Sequence, residues 1–236
     1  MDNGDYGITR PQMNLIYLLD TSGSMFGARI FELNTAMEDA LAVAGEVVYA
    51  NEIDVQVRVI QFSSSAQWII GSEGAGERPN YITWKPLYAE YNEYNNTSTN
   101  TAAAIDSANY SMHRKYLYKP VVILITDGCS NDPEATKQAV DRLKVSSNIR
   151  IALGVTGANR AELEYFASIG NIEHEDGTVE ESVPLVFDVD TLLLRDRLKL
   201  VTWSIIVSSL ASSADDADDI IVVSERDDES WSEWEV

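Results

Sequence analysis

Cysteine is almost missing from this chain, and so is histidine. Cys129 is the single thiol and His113 and His174 are the only imidazoles. One cysteine forms no intrachain disulfide and builds no thiolate zinc site. His113 falls in a helical stretch and His174 in a charged loop, and neither has near it in sequence the set of groups that makes a triad. Basic residues are also scarce: 17 Lys and Arg stand against 38 Asp and Glu, a formal charge of -21 with a pI near 4.3. That balance excludes a nucleic-acid binder, because phosphate backbones are gripped by clustered Lys and Arg. It equally excludes docking on an anionic membrane surface. No apolar run approaches the roughly 18 residues of a membrane span. Met1 to Asn14 carries no apolar signal-peptide core. A soluble protein of a reducing cytoplasm is expected.

What is present is core material. Of 236 residues, 45% are hydrophobic, enough to bury one full domain. The charge is unevenly spread. Residues 211–236 hold six Asp, four Glu and one Arg, a net of -9, which leaves -12 on the other 210. This segment has no sustained period and reads as a solvated, flexible acidic tail. Inside it lies one apolar island, Ile220, Ile221, Val222 and Val223, with Trp231 and Trp234 further on. A β-branched tetrapeptide between acids suits strand addition to a partner's sheet edge. It equally suits packing on the protein's own surface.

The body alternates strand and helix. Asn14 to Leu19 is an apolar run ending in Asp20, as for a strand buried on both faces. Ile30, Leu33, Met37, Leu41, Ala44 and Val48 recur at helical spacing. Strands are expected at Val55–Phe62 and Ala66–Ile70, the second folding back as a hairpin, then at Val121–Thr126, Ile149–Val155 and Val183–Val189. Helices are expected at Thr101–Tyr116, Pro133–Val145 (capped by Asp132), Arg160–Ile169 and from Asp190 to about Leu210. The prediction is an α/β fold: a doubly wound, mostly parallel sheet with one antiparallel edge strand and helices on both faces. Residues 1–12 form an arm, 13–210 the domain and 71–98 a long connection rich in Gly, Asn and Tyr.

Ligands of open α/β sheets bind at the carboxyl ends of the strands. There this sequence places Asp20-Thr21-Ser22-Gly23-Ser24 and Thr126-Asp127-Gly128, while the long connection delivers Thr97-Ser98-Thr99-Asn100-Thr101 to a helix start. Two carboxylates and several hydroxyls, without imidazole or thiolate, make a hard-oxygen site. Mg²⁺ is the favoured ion, with Mn²⁺ or Ca²⁺ as competitors.

These blocks resemble the metal-ion-dependent adhesion site of von Willebrand factor type A domains, whose pattern is Asp-x-Ser-x-Ser, then a Thr, then an Asp. Asp20, Ser22 and Ser24 match the first part and Asp127 the last. Thr99 is assigned to the middle, since Thr99, Ala102 and Ile105 follow the family's Thr-x-x-Gly-x-x-aliphatic spacing, with Ala102 in the Gly position; Thr97 and Thr101 are the alternatives. The resemblance covers roughly residues 12–210. It implies that Ser22, Ser24 and Thr99 offer hydroxyls to the ion, that Asp20 and Asp127 hold it largely through ordered water, and that a partner protein's Asp or Glu fills an open position. The opening Ile16–Met25 is most similar to bacterial stand-alone TerY-like, tellurite-resistance-associated members. This implies an adaptor in a stress or conflict system beside a kinase, phosphatase or AAA ATPase.

Other residues compete for roles. Tyr81, Trp84, Tyr88, Tyr91 and Tyr94 lead towards Thr99, and are either a partner-contact rim or packing for the insertion itself. Cys129 is expected to be a small buried filler, and both histidines surface or packing residues. Enzyme readings are weak. Leu19–Gly23 superficially resembles an aspartic protease, but Ser22 intervenes and helices abound. A haloacid-dehalogenase-type phosphatase needs a second Asp where Ser22 stands, and no phosphate-cradling loop follows a strand. The expectation is a non-enzymatic, metal-dependent interaction module. A metal-independent assembly subunit is the alternative, and a metal-dependent hydrolase the lesser one.

Overall fold

The structure is a computed structural model that describes residues 12–90, 98–114, 117, 120–146, 148–174, 176–211 and 221–223. Its strands are β1 (Gln12–Asp20), β2 (Asp54–Phe62), β3 (Ala66–Ile70), β4 (Pro120–Thr126), β5 (Ile149–Val155), β6 (Ile169–Glu173), β7 (Val179–Pro184), β8 (Val186–Val189) and β9 (Ile221–Val223). Its α-helices are α1 (Ala28–Asn51), α2 (Thr101–Arg114), α3 (Pro133–Lys144), α4 (Arg160–Phe166) and α5 (Leu194–Ala211).

The main sheet runs β3-β2-β1-β4-β5-β8. All its pairings are parallel except β2 with β3. This is the architecture the sequence predicts. The alternation along β1 shows why. Met13, Leu15, Tyr17 and Leu19 join the core shared with α1 and α5, while Ile16 and Leu18 join the core shared with α2, α3 and α4. A strand that feeds two cores has apolar residues at nearly every position. Inside the first core the Tyr17 hydroxyl is bonded to Thr202 on α5 (3.0 Å), which satisfies both groups. Asp132 caps α3 by accepting from the Ala135 amide (2.9 Å), with Pro133 at the first helical position.

Two departures are local. Helix α4 ends at Phe166 rather than Ile169, because Ala167 is extended. The expected strand Val183–Val189 divides, and its first part belongs to a second sheet of order β7-β6-β9. This sheet is rooted at the start of β5: Ser168 N donates to Arg150 O (2.8 Å), Leu185 N to Ser168 O (2.9 Å) and Ala152 N to Leu185 O (3.0 Å). Strands β6 and β7 pair antiparallel, and β9 lies parallel to β6 with Ile172 opposite Val222. Among the described residues no helix is long and apolar enough to cross a membrane.

Candidate functional site

The chain leaves β1 towards β2 on one side and is flanked by β4 on the other, so the gap between the carboxyl ends of β1 and β4 is the topological switch point. Asp20 is the last residue of β1 and Asp127 follows the last residue of β4. Asp20 is fully buried. Its Oδ1 accepts from the Ser22 amide (2.8 Å) and its Oδ2 from the Thr126 hydroxyl (2.6 Å). Burial pushes the carboxyl above its ordinary range, opposed by the Thr126 and Ser22 hydrogen bonds and reinforced by Asp127. No cation among the described residues compensates it.

The turn over Ser22, Gly23 and Ser24 brings both hydroxyls to one side. Ser22 Oγ and Ser24 Oγ lie 3.0 Å apart, and Ser24 Oγ donates to Asp127 Oδ1 (2.7 Å). Thr99 approaches from the loop before α2. Its amide donates to Asn131 Oδ1 (3.0 Å) and its carbonyl accepts from the Asn131 amide (3.1 Å). A Cβ added to Gly128 would sit 3.7 Å from Thr99 Oγ1 and 3.8 Å from Ser24 Oγ. The glycine therefore leaves open the space between those two hydroxyls. Thr101, one of the alternatives to Thr99, is buried as the first residue of α2, and Thr97 lies outside the described residues.

Five oxygen-bearing side chains thus converge: carboxylates from Asp20 and Asp127, hydroxyls from Ser22, Ser24 and Thr99. No cluster of three or more His, Cys, Asp or Glu exists among the described residues, because hydroxyls supply most of this set. The donors are hard and mostly neutral, and a buried carboxylate without a counter-charge sits among them. That chemistry fits a hard divalent cation.

Sequence reasoning missed Arg29. Its Nη1 contacts Asp127 Oδ2 as an ion pair and donates to Ser24 O (2.9 Å), while Nη2 donates to Thr156 O (3.1 Å). One guanidinium ties together the turns that follow β1, β4 and β5. A signal existed: Arg29 lies in the first turn of α1, where the helix dipole disfavours a cation. Such a residue needs an anion nearby.

The connection after β3 divides in role. Asn34 on α1 holds it, with Oδ1 accepting from Trp84 Nε1 (3.2 Å) and the Leu87 amide (2.6 Å), and Nδ2 donating to Leu87 O (2.9 Å). Trp84 packs on the core, whereas Tyr81 and Tyr88 are exposed. The Glu90 amide donates to Thr21 O (2.7 Å), which straps the connection to the Asp20–Ser24 turn. Tyr91 and Tyr94 lie outside the described residues. Ile221, Val222 and Val223 pair with this chain's own β6, while Ile220 lies outside. Cys129 is exposed rather than buried, because in the turn after β4 its side chain faces out while its neighbours Asp127 and Ser130 are buried.

The sequence model of the von Willebrand factor type A domain matches residues 14–182. No curated protein matches the chain. Among solved structures, it is similar to proximal thread matrix protein 1 of the mussel byssus with zinc in its MIDAS motif, at 18% identity, TM-score 0.53, and 82% and 46% of the two chains. It is similar to a von Willebrand factor type A protein of Catenulispora acidiphila at 17% identity, TM-score 0.61, and 83% and 42% coverage. It is also similar to the pilus adhesin SpaC of Lactobacillus rhamnosus GG in its open conformation, at 14% identity, TM-score 0.64, and 84% and 30% coverage. The chain thus spans less than half the length of each, and the likeness is one of fold.

Proposed function

Since the chain belongs to the von Willebrand factor type A domain family, we propose that it is a non-enzymatic interaction module that captures an acidic residue of a partner protein at a divalent-metal site. Ser22, Ser24 and Thr99 would hold the ion through hydroxyls, with Asp20 and Asp127 acting largely through ordered water. A bound Mg²⁺ would supply a positive anchor with one coordination position left for a partner's Asp or Glu. Mn²⁺ and Ca²⁺ are the competitors.

The observation that carries this reading is the pairing of a fully buried, uncompensated Asp20 with a hydroxyl cluster that opens beside Gly128. A buried carboxylate with no opposite charge beside it is costly, and a cation bound at the site would relieve that cost. Exposed Tyr88 and Phe26 flank the Asp20–Ser24 turn in sequence or through the Glu90 strap, and supply apolar surface for the partner around the anchor. The strongly acidic chain repels most acidic ligands, so the local cation sets which ones are admitted.

In this reading the partner belongs to a cytoplasmic stress or conflict system of the TerY-like, tellurite-resistance type, and is a kinase, phosphatase or AAA ATPase. Capture from the source lysate with Mg²⁺, with EDTA and with Asp20→Ala tests it. Partner retained only by the wild-type chain in Mg²⁺ supports the anchor. Equal retention in all three establishes the metal-independent assembly subunit instead.

A further inference from the structure

We propose that Arg29 is a built-in competitor of the divalent ion, a tethered cation that holds Asp127 until a metal displaces it. The inference rests on the metal-site reading above and adds its regulation. Asp127 has two carboxylate oxygens. Oδ1 accepts the one proton of the Ser24 hydroxyl, so the Ser22 hydroxyl donates to Ser24 and a single Ser24 lone pair is left for an ion. Oδ2 is the oxygen left to accept from a metal-bound water, and Arg29 occupies it. Cation and guanidinium therefore seek the same atom, and their like charges oppose each other nearby.

The setting of Arg29 fits a displaceable group. It lies at the amino end of α1, where the dipole opposes it, so no helical preference holds it there. Its side chain is about one-third exposed, whereas that of Asp127 is fully buried. Its other two bonds go to main-chain carbonyls, Ser24 O and Thr156 O. Neither carbonyl is charged, and both can turn to water. Departure from Asp127 also releases Thr156, the residue that follows β5. The state of the metal site is in this way transmitted to the turn at Thr156–Ala158. That turn is held to the body by the Thr156 amide on Val189 O (3.1 Å) and the Ala158 amide on Val155 O (3.1 Å).

Mn²⁺ titration of the full chain, followed by the electron-spin resonance of free Mn²⁺, tests the competition. Wild type, Arg29→Gln, Arg29→Lys and Asp20→Ala are compared, with circular dichroism to confirm folding. Removing the fixed charge in Arg29→Gln is expected to tighten Mn²⁺ binding by at least about tenfold, while Arg29→Lys, which keeps the charge, stays within about threefold of wild type. Hydrogen exchange at Thr156 and Ala158 should rise on Mg²⁺ addition in wild type, and be raised already and insensitive to Mg²⁺ in Arg29→Gln. Unchanged or weaker Mn²⁺ binding in folded Arg29→Gln, beside a wild type that binds, overturns this inference alone. Binding that appears only in Arg29→Gln supports it. If neither binds Mn²⁺, both the competition and the metal site are refuted.

Discussion

Replacing Asp20 by Asn should make the metal-free protein more stable. The carboxylate has no exposed surface and no cation beside it. It receives two hydrogen bonds, from the Ser22 amide and the Thr126 hydroxyl. Burial nonetheless dominates, since the group is pushed above its ordinary value of 3.8 despite both bonds. Asn keeps the volume and the acceptor for the Ser22 amide, and the Thr126 hydroxyl must turn to a new acceptor at a cost of about 1 kcal/mol. Removing a buried uncompensated charge returns more than that, so the net gain at pH 7 in chelator is about 1–3 kcal/mol. For a chain of this size that is ~3–9 °C in Tm by scanning calorimetry. Excess Mg²⁺ should reverse the order. Wild type gains about 4.1 kcal/mol at an ion concentration about 1,000-fold above Kd, more than the whole advantage of Asn, and Asp20→Asn gains little. The sign of the pH effect follows from the raised value. The fold prefers the neutral acid, so the contribution of Asp20 is full below 3.8 and is lost as pH rises through the higher folded value. The advantage of Asn should therefore shrink towards pH 4 and grow above it. A variant no more stable than wild type in chelator, or an unchanged order in Mg²⁺, refutes the reasoning.

Gly128→Ala places a methyl group between Thr99 Oγ1 and Ser24 Oγ at ordinary contact distances. Metal-free stability should change by about 0.5 kcal/mol or less, while calorimetric Mg²⁺ affinity falls by at least about tenfold. Asn34→Ala removes the group that holds Trp84 and Leu87. Denaturant unfolding should show a loss of about 1–3 kcal/mol, and exchange protection should fall across 84–90 while β4 keeps its own. Arg58 is buried on β2, bonded through Nη1 to Asn14 Oδ1 (2.7 Å), with its Nε unpartnered, and burial lowers its pKa. Arg58→Met should raise urea stability by about 1–3 kcal/mol; a loss would show that the cation has a partner.

Much of the main sheet was legible because its residues obey one rule. The unbroken apolar runs of β1 and β4 match strands covered on both faces, and Asp132-Pro133 names a helix start. The second sheet was hidden because β7 faces solvent along most of its length, so Val179–Pro184 carries no alternation to read. Asp20, Ser22, Ser24 and Asp127 were legible from their places at the ends of apolar strands, whereas Thr99, in the loop before α2, follows only from the family spacing. Arg29 was not legible, since its partner Asp127 lies 98 residues away and only the folded sheet brings β1 and β4 side by side. Asn34 was invisible for a related reason: an Asn within a helix has no local motif to mark a bond to residue 87. Cys129 was misjudged because small residues beside a buried strand are commonly buried themselves, and the turn after Asp127 points it outward.

The placement of the small sheet sets the direction in which the molecule displays its site. Both Gln12, where β1 begins, and the root of β6 and β7 at Arg150 lie at the amino ends of the central strands. The candidate metal site lies at the carboxyl ends, one strand length or about 20 Å away. Whatever is joined to the chain before β1 therefore meets the fold at the end remote from the ligand. Held from that end, the domain would point its binding face outward, and a pull between anchor and ligand would run along the strands and load the parallel hydrogen-bond ladder in shear.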